Sequence, residues 1–220
     1  MMTFARRLSA EAFGTALLLA AVVGSGIMGT RLAGGNVAIA LLANSLATGF
    51  ALIALIVAFS ARSGAHFNPV VTIALSMRGR FPRRDVVAYV VAQILGAMLG
   101  VVAAHLMFDL DPLQTPQKVR SGIGQWSGEL IATFGLVFLV LSFSRRNEWA
   151  APFAVGGYIA AAYWFTSSTS FANPAVTLAR GFTDTFAGIG LGNVPAFMAF
   201  QLVGAALAVA ADRALAVKSI

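Results

Sequence analysis

Long uncharged stretches of apolar residues alternate with short basic ones along the chain. Val37–Phe59 contains no Asp, Glu, Lys or Arg, and neither does Val86–Met107 or Val194–Ala211. A helix crosses a hydrocarbon core of ~30 Å with ~20 apolar residues. The pattern predicts six spans, at roughly 8–28, 37–59, 84–107, 125–143, 151–168 and 195–216. Composition agrees: 59% of the 220 residues are hydrophobic and 10% charged, against about a quarter charged in soluble domains. The basic start and apolar run at the N-terminus also fit a cleaved leader. Glu11, which interrupts that run and has a counterpart in the second half, favours a first helix that stays. With no Cys, disulfides and thiolate metal sites are excluded.

Lys and Arg set the orientation of such a chain. Arg6, Arg7, Arg62, Arg78, Arg80, Arg83, Arg84, Arg145, Arg146, Arg213 and Lys218 fall on one side of the spans, and Arg31, Lys118, Arg120 and Arg180 on the other. Eleven against four predicts that both termini are cytoplasmic. The net charge of +7 is therefore read as topological, with lipid and not nucleic acid as the partner.

The two halves repeat. Glu11-x-x-x-Thr15 matches Glu129-x-x-x-Thr133, Asn68-Pro69 matches Asn173-Pro174, and Gln93-x-x-Gly96 matches Gln201-x-x-Gly204. From each Asn the chain reads NPVVTIA and NPAVTLA, identical at five of seven positions. Three spans per half is an odd number, so the second half enters the membrane inverted, which places a site at mid-membrane between the halves. The whole chain, 1–220, is expected to form one domain of two repeats, approximately 1–110 and 121–220, joined by an extracellular loop at 108–123.

Asn favours the N-cap of a helix and Pro its first turn. After Asn68, the stretch VVTIALSM can stay helical to about Met77, a rise of ~13.5 Å or half a bilayer core. The inverted copy at Asn173 predicts two re-entrant half-helices meeting N-terminus to N-terminus, each carrying roughly half a positive charge equivalent. Each Asn oxygen caps its own helix, and each amide is left as a donor to whatever passes. Such a centre repels cations and breaks a proton wire.

This architecture resembles the aquaporin superfamily of membrane channels, through the duplicated Glu-x-x-x-Thr, Asn-Pro and Gln-x-x-Gly motifs and the SGAHFNP lead-in. The resemblance implies six spans plus two half-helices per subunit, a pore in each subunit, a homotetramer, and passage of water and small neutral solutes. Asn68, Pro69, Val70, Asn173, Pro174 and Ala175 are then the central pore motifs, with Val70 in place of the family's usual Ala and only local repacking expected there. Glu11 and Glu129 would buttress the re-entrant loops by accepting backbone N–H groups, the alternative being proton coupling. His66 would line the cytoplasmic half of the pore or simply pack. His105 is read as interfacial.

The family's Arg, three residues after the second Asn, is replaced here by Val176, which matches Val71 in the first repeat. Carried over by spacing, the other constriction positions are Thr48, Ala161 and Ser170. All four are small, so the filter is expected to be wide, without charge or aromatic unless Phe171 turns inward. Arg180 is expected at the outer mouth, or snorkelling to the interface. Open filters of this kind resemble atypical aquaglyceroporins of the bacterial inner membrane, associated with arsenic handling. That implies glycerol-like polyols and metalloid hydroxides such as arsenite as solutes. A gradient-coupled secondary transporter and a structural protein with a blocked pore remain as alternatives. No cofactor and no metal is implied, and no catalytic motif is present.

Overall fold

The computed structural model describes residues 2–143 and 149–215. Arg145, Arg146 and Lys218, three of the eleven cations counted above, lie outside the described residues. Among the described residues, eight α-helices follow in order: α1 Phe4–Leu32, α2 Val37–Ser63, α3 Pro69–Met77, α4 Val86–Met107, α5 Ile123–Phe143, α6 Ala151–Phe165, α7 Pro174–Ala179 and α8 Val194–Ala214.

Their ends follow local chemistry. Asn36 caps α2, its side-chain oxygen accepting the N–H groups of Ala38 and Ile39 at 3.0 and 3.2 Å. Gly64 closes α2 in the left-handed conformation, φ 92°, which costs a residue without Cβ little. The helices α1, α2, α4, α5 and α8 are each long and apolar enough to cross a membrane. The sixth long helix, α6, has 15 residues, ~22 Å at 1.5 Å each. It stops short of the expected residue 168: Thr166 is extended, and its hydroxyl bonds back to Ala162 O at 2.7 Å. The second half-helix is also shorter than the first, with six residues against nine, and continues as a 3₁₀ turn over Arg180–Phe182.

The packing follows the repeat. The helix α1 packs on α4 as α5 packs on α8, and α2 crosses α6 between the two pairs. Backbones touch at matched glycines. A Cβ on Gly96 would lie 2.2 Å from Ala12 O, and one on Gly204 would lie 2.4 Å from Leu130 O. Small residues permit this approach, which dispersion then rewards in lipid. The outer faces of the long helices are apolar and exposed, as at Phe13, Leu46, Phe50, Leu95, Leu99 and Leu207. The half-helices α3 and α7 sit inside, enclosed by the long helices.

Candidate functional site: a cavity between two capped half-helices

Each re-entrant loop reaches its Asn through left-handed backbone at non-glycine residues. Ala65 and Phe67 have φ 50° and 49° before Asn68; Ser170 and Ala172 have φ 50° and 48° before Asn173. Such conformations persist only where the surroundings hold them. Here the hold comes from the duplicated polar residues. Glu11 Oε1 accepts the N–H of Phe67 and the Gln93 amide at 2.8 Å. Glu129 accepts the N–H groups of Phe171 and Ala172, both at 2.9 Å, and the Gln201 amide at 2.6 Å. Gln93 and Gln201 also donate to Thr72 and Thr177, on the half-helices, at 2.9 and 2.7 Å. Both carboxylates are fully buried. The sequence marks the two Gln as repeat landmarks; the structure makes them the struts between carboxylate and half-helix.

Asn68 Oδ1 accepts the Val70 N–H at 3.1 Å. Asn173 Oδ1 accepts those of Ala175 and Val176 at 3.0 and 3.3 Å. Pro69 and Pro174 hold the first helical positions. The amides are less free than expected. Asn68 Nδ2 donates to Ala172 O, and Asn173 Nδ2 donates to Phe67 O, each at 2.8 Å. Each loop thereby latches the other, and one hydrogen of each amide is used in doing so. Val70 and Ala175, next to the prolines, are fully buried in the packing behind the caps.

A cavity of about 300 Å³ runs past both Asn residues. Two apolar stripes face it with a period of four: Thr48, Leu52, Ile56 and Ser60 on α2, and Ala151, Val155, Ile159 and Tyr163 on α6. That register corrects the expectation for Ala161. It lies two residues from the stripe, about 200° round the helix, and is exposed on the outer face. Tyr163 takes the span-five place instead, its hydroxyl 3.2 Å from that of Thr48. The four-residue period along α6 is the signal that would have found it; counting back across a variable loop misses it. Val176 and Ser170 line the cavity as well.

At the end remote from the termini, two further expectations are corrected. Arg180 neither snorkels nor stands at the mouth. It is 2% exposed and lines the cavity together with Phe171. Its guanidinium lies 3.4 Å from the centre of the Phe171 ring, and its Nε donates to Ala187 O. The cavity wall therefore carries both a charge and aromatic rings, because Phe171 and Tyr163 turn inward. Behind Phe171 lies Arg120 from the 108–122 linker, 5% exposed, with its guanidinium 4.9 Å from the same ring. Burial, its largest influence, pushes the Arg120 guanidinium down to about 10. Lys118 stays exposed, but its ammonium donates to Phe186 O at 2.8 Å. Partial burial, then the charges of Arg120 and Arg180, hold it down to about 8.

At the opposite end His66 lines the cavity, two residues before Asn68 as Phe171 is before Asn173. Its Nδ1 is 3.0 Å from the Thr72 hydroxyl, and its ring packs edge-on to Phe81. His105 is not interfacial. It is fully buried, bridging Pro112 O at 3.0 Å and the Thr183 hydroxyl at 2.7 Å.

Among the described residues, none lining the cavity carries a carboxylate. An apolar tube with a few fixed polar atoms, passing between two opposed half-helices, is the site of a transmembrane channel. Residues 1–170 match the major intrinsic protein family. The chain is 54% identical to the aquaglyceroporin AqpS of Rhizobium meliloti strain 1021, over 94% of this chain and 89% of the relative. It is 32% identical to the aquaporin AqpM of Methanothermobacter thermautotrophicus, over 94% of this chain and 96% of the relative. The X-ray structure of the aquaglyceroporin from Plasmodium falciparum shares the fold, with a TM-score of 0.74 at 21% identity and 97% coverage of both chains. The chain belongs to the major intrinsic protein family. It is an integral multi-pass membrane protein and a passive channel for water and small solutes, neither an enzyme nor a gradient-coupled transporter.

Proposed function

We propose that this channel conducts glycerol-sized polyols and undissociated metalloid hydroxides such as arsenous acid along with water. It does so as a homotetramer in the bacterial inner membrane, with both termini cytoplasmic. The observation that carries the solute range is Val176. It puts a short apolar side chain on the cavity wall one turn before Arg180, so the guanidinium is offset along the path from the Asn-flanked centre. The rest of the wall suits solutes with one greasy and one hydroxylated edge. The α2 and α6 stripes, with Phe171, meet the carbon skeleton. Thr48, Tyr163, Ser170 and Arg180 meet the hydroxyls, and Asn68 and Asn173 donate at the centre. Glu11 and Glu129 hold the loops and carry no proton. His66 lines the end nearest the termini. The 54% identical relative is itself described as an aquaglyceroporin.

Two of the four minority cations, Arg120 and Arg180, are buried in the protein and therefore contribute little to the surface charge bias. Among the described residues the remaining count is eight against two, which supports cytoplasmic termini. The test is stopped-flow light scattering on vesicles holding the purified protein. Gradients of glycerol and of arsenous acid are expected to relax faster than in protein-free vesicles, with no dependence on a proton gradient. Water flux alone would overturn the solute range.

A further inference from the structure

The two re-entrant loops share a common build but differ in what holds one carbonyl. In each, a serine five residues before the Asn turns its hydroxyl onto a loop N–H: Ser63 onto Ala65 at 3.1 Å and Ser168 onto Ser170 at 3.2 Å. In the first loop the carbonyl of that serine is held by the hydroxyl of Tyr89, at 2.8 Å. Tyr89 lies four residues before Gln93, and the matching residue before Gln201 is Phe197. Phe197 is buried and packs edge-on to Phe171 at 5.2 Å, but it has no hydroxyl. The Ser168 carbonyl is held instead by a guanidinium N–H of Arg120 at 3.2 Å.

Arg120 comes from the linker, outside both repeats. Its backbone N–H donates to Asn193 Oδ1 and its Nε to Gly188 O, both at 2.9 Å. It lies behind the cavity wall, against the ring of Phe171. The first loop also has a guanidinium nearby, that of Arg7, 5.5 Å from the centre of the Tyr89 ring, but there the serine carbonyl is held by a neutral hydroxyl.

We propose that Arg120 is a specificity-determining positioning residue: the linker lends it to the second loop in place of the missing Tyr89-type hydroxyl, and through Ser168 and Phe171 it sets the outer bore of the channel. Phe171 is confined between Arg120 behind it and Arg180 beside the cavity. Removing the Arg120 side chain frees the Ser168 carbonyl and opens space behind the ring. Phe171 then withdraws, and the bore widens for larger solutes.

This inference uses the solute range proposed above for its flux readout, and a second readout is independent of it. The variants are Arg120→Leu, Arg120→Lys and the pair Arg120→Leu with Phe197→Tyr. The first readout is the ratio of glycerol to water permeability in vesicles. The second is amide hydrogen exchange over residues 167–173 in the full-length protein. Arg120→Leu is expected to raise the ratio by about threefold or more, the scale of one lost hydrogen bond, and to speed exchange in that segment alone. Adding Phe197→Tyr restores a hydroxyl where the first repeat has one and brings both readouts back toward the parent protein. If Arg120→Leu fails to assemble, Arg120→Lys keeps the charge without the planar fork and is expected to move both readouts the same way. Unchanged exchange and an unchanged ratio in an assembled Arg120 variant would overturn the proposal. So would failure of Phe197→Tyr to restore exchange. A parent protein that passes water but no glycerol would overturn the solute range alone and leave the exchange measurement decisive.

Discussion

Arg180 stands where the first half has Leu75, seven residues after the Asn in each copy, and both side chains line the cavity. The repeat thus supplies its own control. Arg180→Leu installs the first repeat's residue and removes a charge that, a few ångströms from a passing cation, is worth about 4 kcal/mol at an effective dielectric of 20. Cation leak through vesicles, read with a pH-sensitive dye, is expected to rise at least about tenfold; an unchanged leak would show that the guanidinium does not face the path. Val176→Arg adds a second guanidinium one turn away. It is expected to lower glycerol flux more than water flux, as a falling permeability ratio at matched protein density. Asn68, Asn173, Glu11 and Glu129 were legible because they come in pairs, and a duplicated polar residue in an apolar chain announces its own importance. Arg180, Tyr163 and Arg120 were not legible for the opposite reason. Each departs from the repeat or lies outside it, and their roles depend on helix register and on a linker whose path no periodicity encodes.

At the level of the elements, six spans could be read from long apolar runs with few charges, because lipid forbids unsatisfied backbone and only helices meet that demand in a chain of this pattern. The half-helix α3 was legible to its last residue, Met77, since Asn-Pro marks its start and polar Arg78-Gly79 follows its end. The short α7 and the early end of α6 were not, because Thr166 folds its hydroxyl back onto Ala162 O and Arg180 turns its Nε onto Ala187 O, and no sequence pattern marks either contact. What keeps α7 in place is the Glu129–Gln201–Thr177 chain from α5 and α8. Glu129→Gln replaces one of two carboxylate acceptors by a donor facing donors. The melting temperature in detergent is expected to fall with a loss of about 2–3 kcal/mol, and a Gln variant with the parent's melting curve would contradict the strut. The helix contact at Gly96 is tested by Gly96→Ala. Its Cβ would meet Ala12 O at 2.2 Å, so α1 and α4 must separate, at an expected cost of about 1–3 kcal/mol in the same melt.

The whole molecule presents apolar helix faces all round, and the proposed assembly covers part of them with copies of itself. Native mass spectrometry from detergent is expected to show four times the 22.8 kDa chain; a monomer at every detergent tested would count against the tetramer. Within one subunit, the Asn latch at the centre ties the two halves together. That latch has a consequence in time. The acceptor for Asn68 lies 104 residues further along the chain, and at about 5–20 residues per second of synthesis the first loop waits some seconds for it. During that interval the loop is steadied by partners already made, among them Glu11, Gln93 and Tyr89. The ribosome therefore delivers a channel whose first loop is completed only by its second half, and a fault in the second half is felt as an unfinished first half.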